Sequence, residues 1–177
     1  PGINLHVELS DRFVDLVGEG FDLAIRIGHL EDSSLVARRL SDVPMVLVGA
    51  PILLAEYGTP MTPEDLVDIP FVHYASERVV QRLKLQRGNE EPVQVLTQAK
   101  LSTNNDQMMV SFARAGQGLI FLPQFMVETE LEDARLREVL PEYRLFPERK
   151  MYAVFPHGRH LPLKTRALID FLVEELT

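Results

Sequence analysis

The stretch Ser10–Gly28, SDRFVDLVGEGFDLAIRIG, carries the strongest indication of how this chain folds. It predicts a helix over 11–18, since Ser10 or Asp11 can accept hydrogen bonds from the free amides of a first helical turn. The two glycines around Glu19 end that helix, because glycine adopts the left-handed conformation that closes it. Its apolar side chains share one face at helical spacing: Phe13, Leu16 and Val17.

The second half of this stretch predicts a strand over 21–27. The segment is short, nearly all apolar and preceded by a helix, a pattern typical of a strand in a parallel sheet covered on both faces. Sheets of this kind bind ligands at the carboxyl ends of their strands. We therefore expect Arg26, Gly28 and His29 to lie where a small molecule binds.

Strands and helices alternate along the rest of the chain, which indicates an α/β protein. Two blocks, around 11–27 and 104–122, share a polar cap, an apolar helix, a glycine stop and a buried strand, and this suggests two similar lobes. Strands are predicted at 3–9, 35–40, 44–50, 71–74, 79–86, 93–101, 119–122 and 150–155, with short extended pieces at 136–140 and 144–146. Helices are predicted at 51–57, from Thr62, from about 104, at 124–133 and at 163–176.

Local signals set the limits of several elements. Ser41-Asp42 predicts a turn between two strands, and Gly88-Asn89 predicts another. Pro51 at the start and Gly58 past the end bound one short helix. Thr62, and later Thr103 with Asp106, match helix-capping patterns. The inward face of the last helix is predicted to carry Leu168, Phe171, Leu172 and Leu176.

Composition and charge exclude several classes of partner. The 177 residues are 46% hydrophobic, enough for a sizeable core. The formal net charge is −8 and no basic stripe exists, so this chain alone should not bind DNA. No apolar run approaches the roughly 18–20 residues of a membrane helix, and the start does not match a signal peptide. The absence of cysteine favours a reducing compartment, and we expect a cytoplasmic protein.

We expect no catalytic residues, no metal and no cofactor. None of the five histidines stands at metal-ligand spacing from another histidine or an acid, and a satisfied or solvated histidine is the preferred interpretation of both His29 and His73. Gly116-Gln117-Gly118 follows a helix and precedes a strand, the reverse of the order in phosphate-binding loops. The sequence also contains no G-x-S-x-G nucleophile elbow.

Five segments stand in a characteristic order and spacing: LSDRFVDLVGEGFDLAIRIG (Leu9–Gly28), DSSLVARRL (Asp32–Leu40), GTPMTPEDL (Gly58–Leu66), AGQGLIFLP (Ala115–Pro123) and LPLKTRALIDFL (Leu161–Leu172). In these segments the chain resembles the effector-binding domain of LysR-type transcriptional regulators. The resemblance covers nearly the whole chain, and the ordered set of motifs is specific although each is weak alone.

This resemblance implies two Rossmann-like lobes joined by a hinge, as in type II periplasmic binding proteins, with a small-molecule cleft between the lobes. Residues 1–46 and 147–177 would form lobe I, and 47–146 lobe II. The chain departs from the family pattern at its start, where the winged helix-turn-helix and the first strand and helix of lobe I are expected to be missing. The family works as homodimers or homotetramers that reach DNA through that absent domain, and a small-molecule effector changes the DNA contacts.

The same resemblance places the pocket-lining helix start of lobe II at Ser102, Thr103 and Asn104. Thr103 has the alternative role of a plain helix cap. From lobe I we expect Ser10, Arg26, Gly28 and His29, with Tyr74 of lobe II as a weaker addition. A charge in a buried strand needs a partner, so Arg26 pairs either with an internal acid, Asp11 or Asp22, or with an acidic effector.

Two further functions share parts of this pattern. A solute-binding protein of a transporter has the same fold, but it should carry an export signal and two complete lobes. An enzyme should carry a nucleophile with its base, a metal cluster or a cofactor loop. The preferred interpretation is therefore a ligand-sensing regulatory domain that performs no reaction on its ligand.

Overall fold

The chain forms two compact units. The computed structural model describes residues 2–10, 14–28, 35–74, 80–157 and 161–176. Unit 1 comprises Pro1–Val43 and Arg149–Thr177, and unit 2 comprises Pro44–Glu148. Unit 2 is therefore one continuous segment, whereas unit 1 is assembled from the two ends of the chain.

Unit 1 is built on a three-stranded antiparallel sheet whose central strand comes from the end of the chain. Its elements are β1 (Ala24–Gly28), β2 (Leu35–Val43), β10 (Arg149–Pro156) and helix α4 (Leu163–Leu176), and the strand order is β1-β10-β2. Leu40, Ala153 and Ile169 form its small buried core.

Unit 2 contains two sheets and three α-helices within the described residues. Its strands are β3 (Met45–Gly49), β4 (Pro70–Tyr74), β5 (Val80–Arg87), β6 (Val93–Thr103), β7 (Ile120–Pro123), β8 (Arg137–Glu138) and β9 (Tyr143–Leu145). Its helices are α1 (Pro51–Tyr57), a 3-10 helix (Pro63–Asp68), α2 (Asp106–Arg114) and α3 (Gln124–Glu132). One sheet has the order β7-β3-β8 and the other β4-β6-β5-β9; β4 and β6 run parallel, and the remaining pairs are antiparallel.

Local helix signals give the correct limits of the first two helices of unit 2. Pro51 is the first residue of α1, and Gly58 beyond its end has a positive φ of 87°. Thr62 and Asp65 form the reciprocal capping box of the 3-10 helix. The Asp65 carboxylate accepts hydrogen bonds from the N–H groups of Met61 and Thr62, both at 2.9 Å. These backbone hydrogen bonds lower the pKa of Asp65 below its usual value.

The strand predicted over 3–9 is wrong, because residues 2–10 contain no helix or strand. The alternating apolar side chains are all exposed: Ile3, Leu5, Val7 and Leu9. An alternating segment forms a strand only when a neighbour supplies the ladder of hydrogen bonds, and no described strand pairs with it.

The helix predicted over 11–18 is also wrong where the structure describes it; residues 11–13 lie outside the described part. Residues 16–20 form turns. The cause is Asp15, whose Oδ1 accepts hydrogen bonds from the N–H groups of Val17 and Gly18 and so competes with the helical pattern. Leu16 is buried as expected, but Val17 is 69% exposed.

The strand predicted over 21–27 exists as β1, but it is neither parallel nor covered on both faces. It is an edge strand that pairs antiparallel with β10, from Ala24 opposite Val154 to Gly28 opposite Lys150. Ile25 and Ile27 point to solvent, and Arg26 lies on the half-buried face. A short apolar run predicts a strand but not its partner, which here comes from the far end of the chain.

Two smaller expectations also fail. Ser41-Asp42 is not a turn, because both residues lie inside β2, and Asp42 pairs with Arg39 at 2.6 Å. The strand before Pro44 and the strand after it belong to different sheets. The predicted inward face of α4 is wrong for Phe171 and Leu176, which are 54% and 40% exposed, whereas Leu172 packs against the core as expected and Leu168 is half-buried. The buried positions of α4 are Thr165 and Ile169.

Among the described residues, no helix combines the length and apolar character needed to span a membrane.

Candidate functional site

The carboxyl ends of β4 and β6 bring three of the predicted site residues together. Because the two strands are parallel, His73 stands opposite Ser102 and Tyr74 stands opposite Thr103. Tyr74 and Thr103 are the last residues of their strands. This edge is the place where parallel strands deliver side chains to a ligand.

Helix α2 begins directly after this edge, and its cap differs from the one predicted. The N-cap is Asn105, whose Oδ1 accepts a hydrogen bond of 2.9 Å from the N–H of Met108. Thr103 Oγ1 instead accepts a hydrogen bond of 3.2 Å from the N–H of Asn105, so Thr103 lies two residues before the N-cap. The predicted pairing of Thr103 with Asp106 as a capping box is therefore wrong. Asparagine is as good an N-cap as threonine, so the second asparagine of the pair, Asn105, was the sequence signal for the position of the cap.

The side chains at this edge are neutral hydrogen-bonding groups. Ser102 and Asn104 are exposed, and neither makes a side-chain hydrogen bond with any residue that the structure describes. Tyr74 is 38% exposed, and Thr103 is half-buried. Hydroxyl and amide groups of this kind orient a polar ligand, and the amino end of α2 adds the positive end of a helix dipole.

His73 lies in the sheet beneath this edge, one residue before Tyr74. Its side chain is 4% exposed, and its Nε2 lies 3.0 Å from Thr97 Oγ1. Thr97 Oγ1 also donates to the carbonyl oxygen of Gln81 at 3.4 Å. His73 is thus a buried, hydrogen-bonded histidine, as the preferred interpretation of the sequence had it.

The predicted residues of unit 1 are placed only in part, since His29 and Asp11 lie outside the described residues. Arg26 is half-buried, and its guanidinium donates a 3.0 Å hydrogen bond to the carbonyl oxygen of Val14. Asp22, one of its two predicted acidic partners, forms an ion pair of 2.7 Å with Lys164.

The two remaining residues, Ser10 and Gly28, belong to the same unit. Ser10 is exposed in a segment without helix or strand. Gly28 ends β1 with φ of 145°, a conformation that side-chain-bearing residues rarely adopt.

No group of three or more metal-ligating side chains occurs within the described ranges. The polar groups gathered at the ends of β4 and β6 can donate and accept hydrogen bonds. Groups of this kind are chemically able to bind and orient a small polar molecule.

The model of the LysR substrate binding domain family matches residues 1–177, the whole chain. Two relatives are HTH-type transcriptional regulators. The chain is 32% identical over 174 residues to the transcriptional activator AaeR of Escherichia coli, covering 98% of this chain and 56% of that protein. It is 34% identical over 176 residues to the regulator PtxR of Pseudomonas aeruginosa, covering 99% and 56%.

A solved structure with a similar fold is that of full-length AphB, a virulence activator of Vibrio cholerae and a member of the LTTR protein family. The TM-score is 0.79 at 26% sequence identity, over 99% of this chain and 59% of that one. The chain therefore spans little more than half the length of the relatives it matches.

Proposed function

Since the chain belongs to the LysR substrate-binding domain family, we propose that it is the ligand-sensing domain of a LysR-type transcriptional regulator. A small-molecule effector binds at the carboxyl ends of β4 and β6. The effector contacts Ser102, Thr103 and Asn104, with Tyr74 opposite Thr103. The domain binds its ligand and performs no reaction on it.

The single observation that supports this site is the register of β4 and β6. Tyr74 and Thr103 are opposed at the last position of two parallel strands, and α2 begins three residues after Thr103. Ser102 and Asn104 flank Thr103 with exposed polar side chains that no described residue engages. Exposed hydrogen-bonding groups at such an edge exchange water for a ligand at little cost, since no internal bond is broken.

The proposal retains Ser10, Arg26, Gly28 and His29 as effector contacts from unit 1, on the strength of the sequence resemblance. The guanidinium of Arg26 donates a hydrogen bond of 3.0 Å to the carbonyl oxygen of Val14. A solute-binding protein of a transporter is not favoured, because the relatives of this chain are transcriptional regulators.

In the whole regulator, the effector would act by population shift. A ligand that binds one conformation of the domain more tightly than another moves the equilibrium by its differential affinity, typically about 1–3 kcal/mol of coupling between sites. We propose that this shift changes the DNA contacts made by the DNA-binding region of a homodimer or homotetramer in the cytoplasm. The chain itself makes no specific DNA contact.

The test is a thermal-shift panel of small metabolites on this chain and on two variants, Ser102→Ala and Asn104→Ala. We expect at least one compound to raise the melting temperature of the unmodified chain and to raise that of both variants markedly less. The variants without ligand should melt close to the unmodified chain, because their side chains are exposed and unengaged.

The matched control is Ser111→Ala, the same chemical change on α2 but away from the strand ends. Ser111 donates its hydroxyl to the carbonyl oxygen of Gln107 within the helix. This variant should respond to the compound as the unmodified chain does. A compound that stabilises Asn104→Ala and Ser102→Ala as fully as the unmodified chain would contradict the proposed site.

A further inference from the structure

Unit 2 holds a groove beside the start of β4 and the middle of β6. Its volume is about 300 Å³, and its walls come from the end of α1, the end of the 3-10 helix, the start of β4 and the middle of β6. The residues that matter for its chemistry are Tyr57, Val67, Asp68, Pro70, Gln98 and Lys100. All of them are described residues of one unit.

The groove carries one negative and one positive side chain that do not neutralise each other. Asp68 and Lys100 both line it, yet their charged atoms are further apart than the 4.0 Å that defines an ion pair. Neither makes an ion pair or a side-chain hydrogen bond with another residue in the described part of the chain. By contrast, Arg87 and Glu90 on the same sheet pair at 2.9 Å. Two opposite charges held apart in one depression fit a ligand that carries both charges itself.

The remaining wall supplies apolar surface and one amide. Val67 and Tyr57 are 52% and 44% exposed, so each presents a large apolar area to the groove or to water. Gln98 adds a neutral donor and acceptor beside Lys100. Removing apolar surface of this kind from water is favourable by about 25 cal/mol for each Å².

We propose that this groove binds a zwitterionic small molecule of the α-amino acid class. The carboxylate of the ligand meets Lys100, its ammonium group meets Asp68, and its apolar side chain lies against Val67 and Tyr57. A volume of about 300 Å³ is at the lower end of the range for ligand pockets and suits a single small metabolite. Each charged contact is with an exposed group, so both are needed for measurable binding.

The groove and the proposed effector site are lined by different residues. Pro70 lines the groove and Tyr74 lies at the effector site, and they are the first and last residues of β4. At about 3.3 Å per residue they stand roughly 13 Å apart. Lys100 and Ser102, however, are two residues apart on the same face of β6, about 7 Å along the strand, so the two sites adjoin and use different side chains. Variants at Asp68 and Lys100 test the groove, and variants at Ser102 and Asn104 test the effector site.

The experiment is a titration of this chain with L-leucine, followed by amide NMR spectra. Two analogues each lack one charge: 4-methylpentanoate has no amino group, and 3-methylbutylamine has no carboxylate. We expect L-leucine to shift the amide signals of Asp68, Gln98 and Lys100 in a saturable way. Each analogue should bind at least about tenfold more weakly, which corresponds to about 1.4 kcal/mol.

Two variants and two matched controls complete the test. Lys100→Gln and Asp68→Asn should each weaken L-leucine binding about tenfold, equivalent to about 1.4 kcal/mol. Lys84→Gln changes an exposed cation of the adjacent strand outside the groove, and Glu64→Gln changes an acid of the same 3-10 helix; both should bind L-leucine normally.

Four outcomes overturn the proposal. The first is the absence of any saturable shift up to the solubility limit of L-leucine. The second is equal binding of L-leucine and its single-charge analogues. The third is unchanged binding in Lys100→Gln and Asp68→Asn, and the fourth is a set of shifts confined to Tyr74, Ser102 and Asn104. That last result would place the amino acid at the effector site. It would support the proposed function and exclude the groove as the binding site.

Discussion

Tyr74 and Thr103 stand opposite each other at the ends of β4 and β6, the one pair of parallel strands within the described ranges. Elsewhere in those ranges the strands of both units pair antiparallel. In a parallel pair the two carboxyl ends lie at the same edge, so the residues that follow them are neighbours in space although far apart in sequence.

The cap of α2 is tested by comparing two adjacent asparagines. Asn105→Ala removes the side-chain oxygen that accepts the Met108 N–H, and it should lower the free energy of unfolding by about 1 kcal/mol. Asn104→Ala changes an exposed side chain that caps nothing, and its effect should stay within about 0.5 kcal/mol. Chemical denaturation followed by circular dichroism measures both. Equal losses in the two variants would mean that the cap is not at Asn105.

The hydrogen bond between His73 and Thr97 should contribute to the stability of the sheet beneath the site. Thr97→Val keeps the shape of the side chain but removes the hydroxyl, and it should cost roughly 1–3 kcal/mol because His73 Nε2 stays buried. In a background of His73→Phe the same change should cost less, since the partner nitrogen is gone. A double-mutant cycle in denaturant measures the coupling. Additive losses would show that the two side chains do not stabilise each other.

Asp65 should give the stability of unit 2 a dependence on acid pH. Hydrogen bonds from the N–H groups of Met61 and Thr62 lower its pKa in the folded chain below the usual 3.8. The folded state therefore binds the proton less readily than the unfolded chain. Its contribution is complete above the unfolded pKa and is lost as the pH falls through the folded pKa.

The measurement is a set of thermal melts between neutral and strongly acidic pH on Asp65→Asn and on Glu64→Gln. Asp65→Asn should flatten the loss of melting temperature below about pH 4, since the group that takes up a proton on unfolding is absent. Glu64 lies in the same turn, but its carboxylate accepts none of the backbone hydrogen bonds given above, so Glu64→Gln should keep the slope of the unmodified chain. If the melting temperatures of all three proteins fell equally with pH, Asp65 would not be the source of the acid dependence.

Gly118 should resist substitution because of a close approach between backbones. A Cβ at this position would lie 2.8 Å from the carbonyl oxygen of Pro70 and 2.9 Å from the carbonyl carbon of Phe71. The chain is held there by the hydrogen bond from Leu119 N–H to Pro70, so it cannot move away without losing it. Gly118→Ala should therefore cost roughly 1–3 kcal/mol or more.

The control for that variant is Gly88→Ala in the β5–β6 turn. Gly88 has a positive φ of 55°, but nothing lies within 4 Å of an added Cβ. This change should cost only the backbone strain, about 1–2 kcal/mol. Denaturant midpoints of the two variants give the comparison. A Gly118→Ala variant no less stable than Gly88→Ala would contradict the crowding at Pro70 and Phe71.

Elements bounded by local signals were predicted correctly from the sequence. Pro51 and Gly58 delimit α1, Thr62 begins the 3-10 helix, and the turn at Gly88 joins two antiparallel strands. In each case the residues that decide the structure are within a few positions of it. The fold class follows from the same elements, and the structure has mixed α/β sheets as expected for the family.

Features that depend on distant residues were not predictable in the same way. The orientation of β1 depends on β10, which begins at Arg149, and an apolar run does not encode which strand will pair with it. The helix over 11–18 failed for a local reason, since the Asp15 carboxylate satisfies the amides that a helix would use. At the candidate site, the sequence indicated Ser102, Thr103 and Asn104 but placed the helix cap two residues too early.

The position of β10 at the centre of its sheet has a consequence for synthesis on the ribosome. Domains generally fold as units while the chain emerges from its amino end. Residues 44–148 leave the ribosome as one unbroken segment, so unit 2 can complete its core before β10 is made. β1 and β2, although made before unit 2, have no strand between them until Arg149–Pro156 is translated. Unit 1 is therefore begun before unit 2 and completed after it.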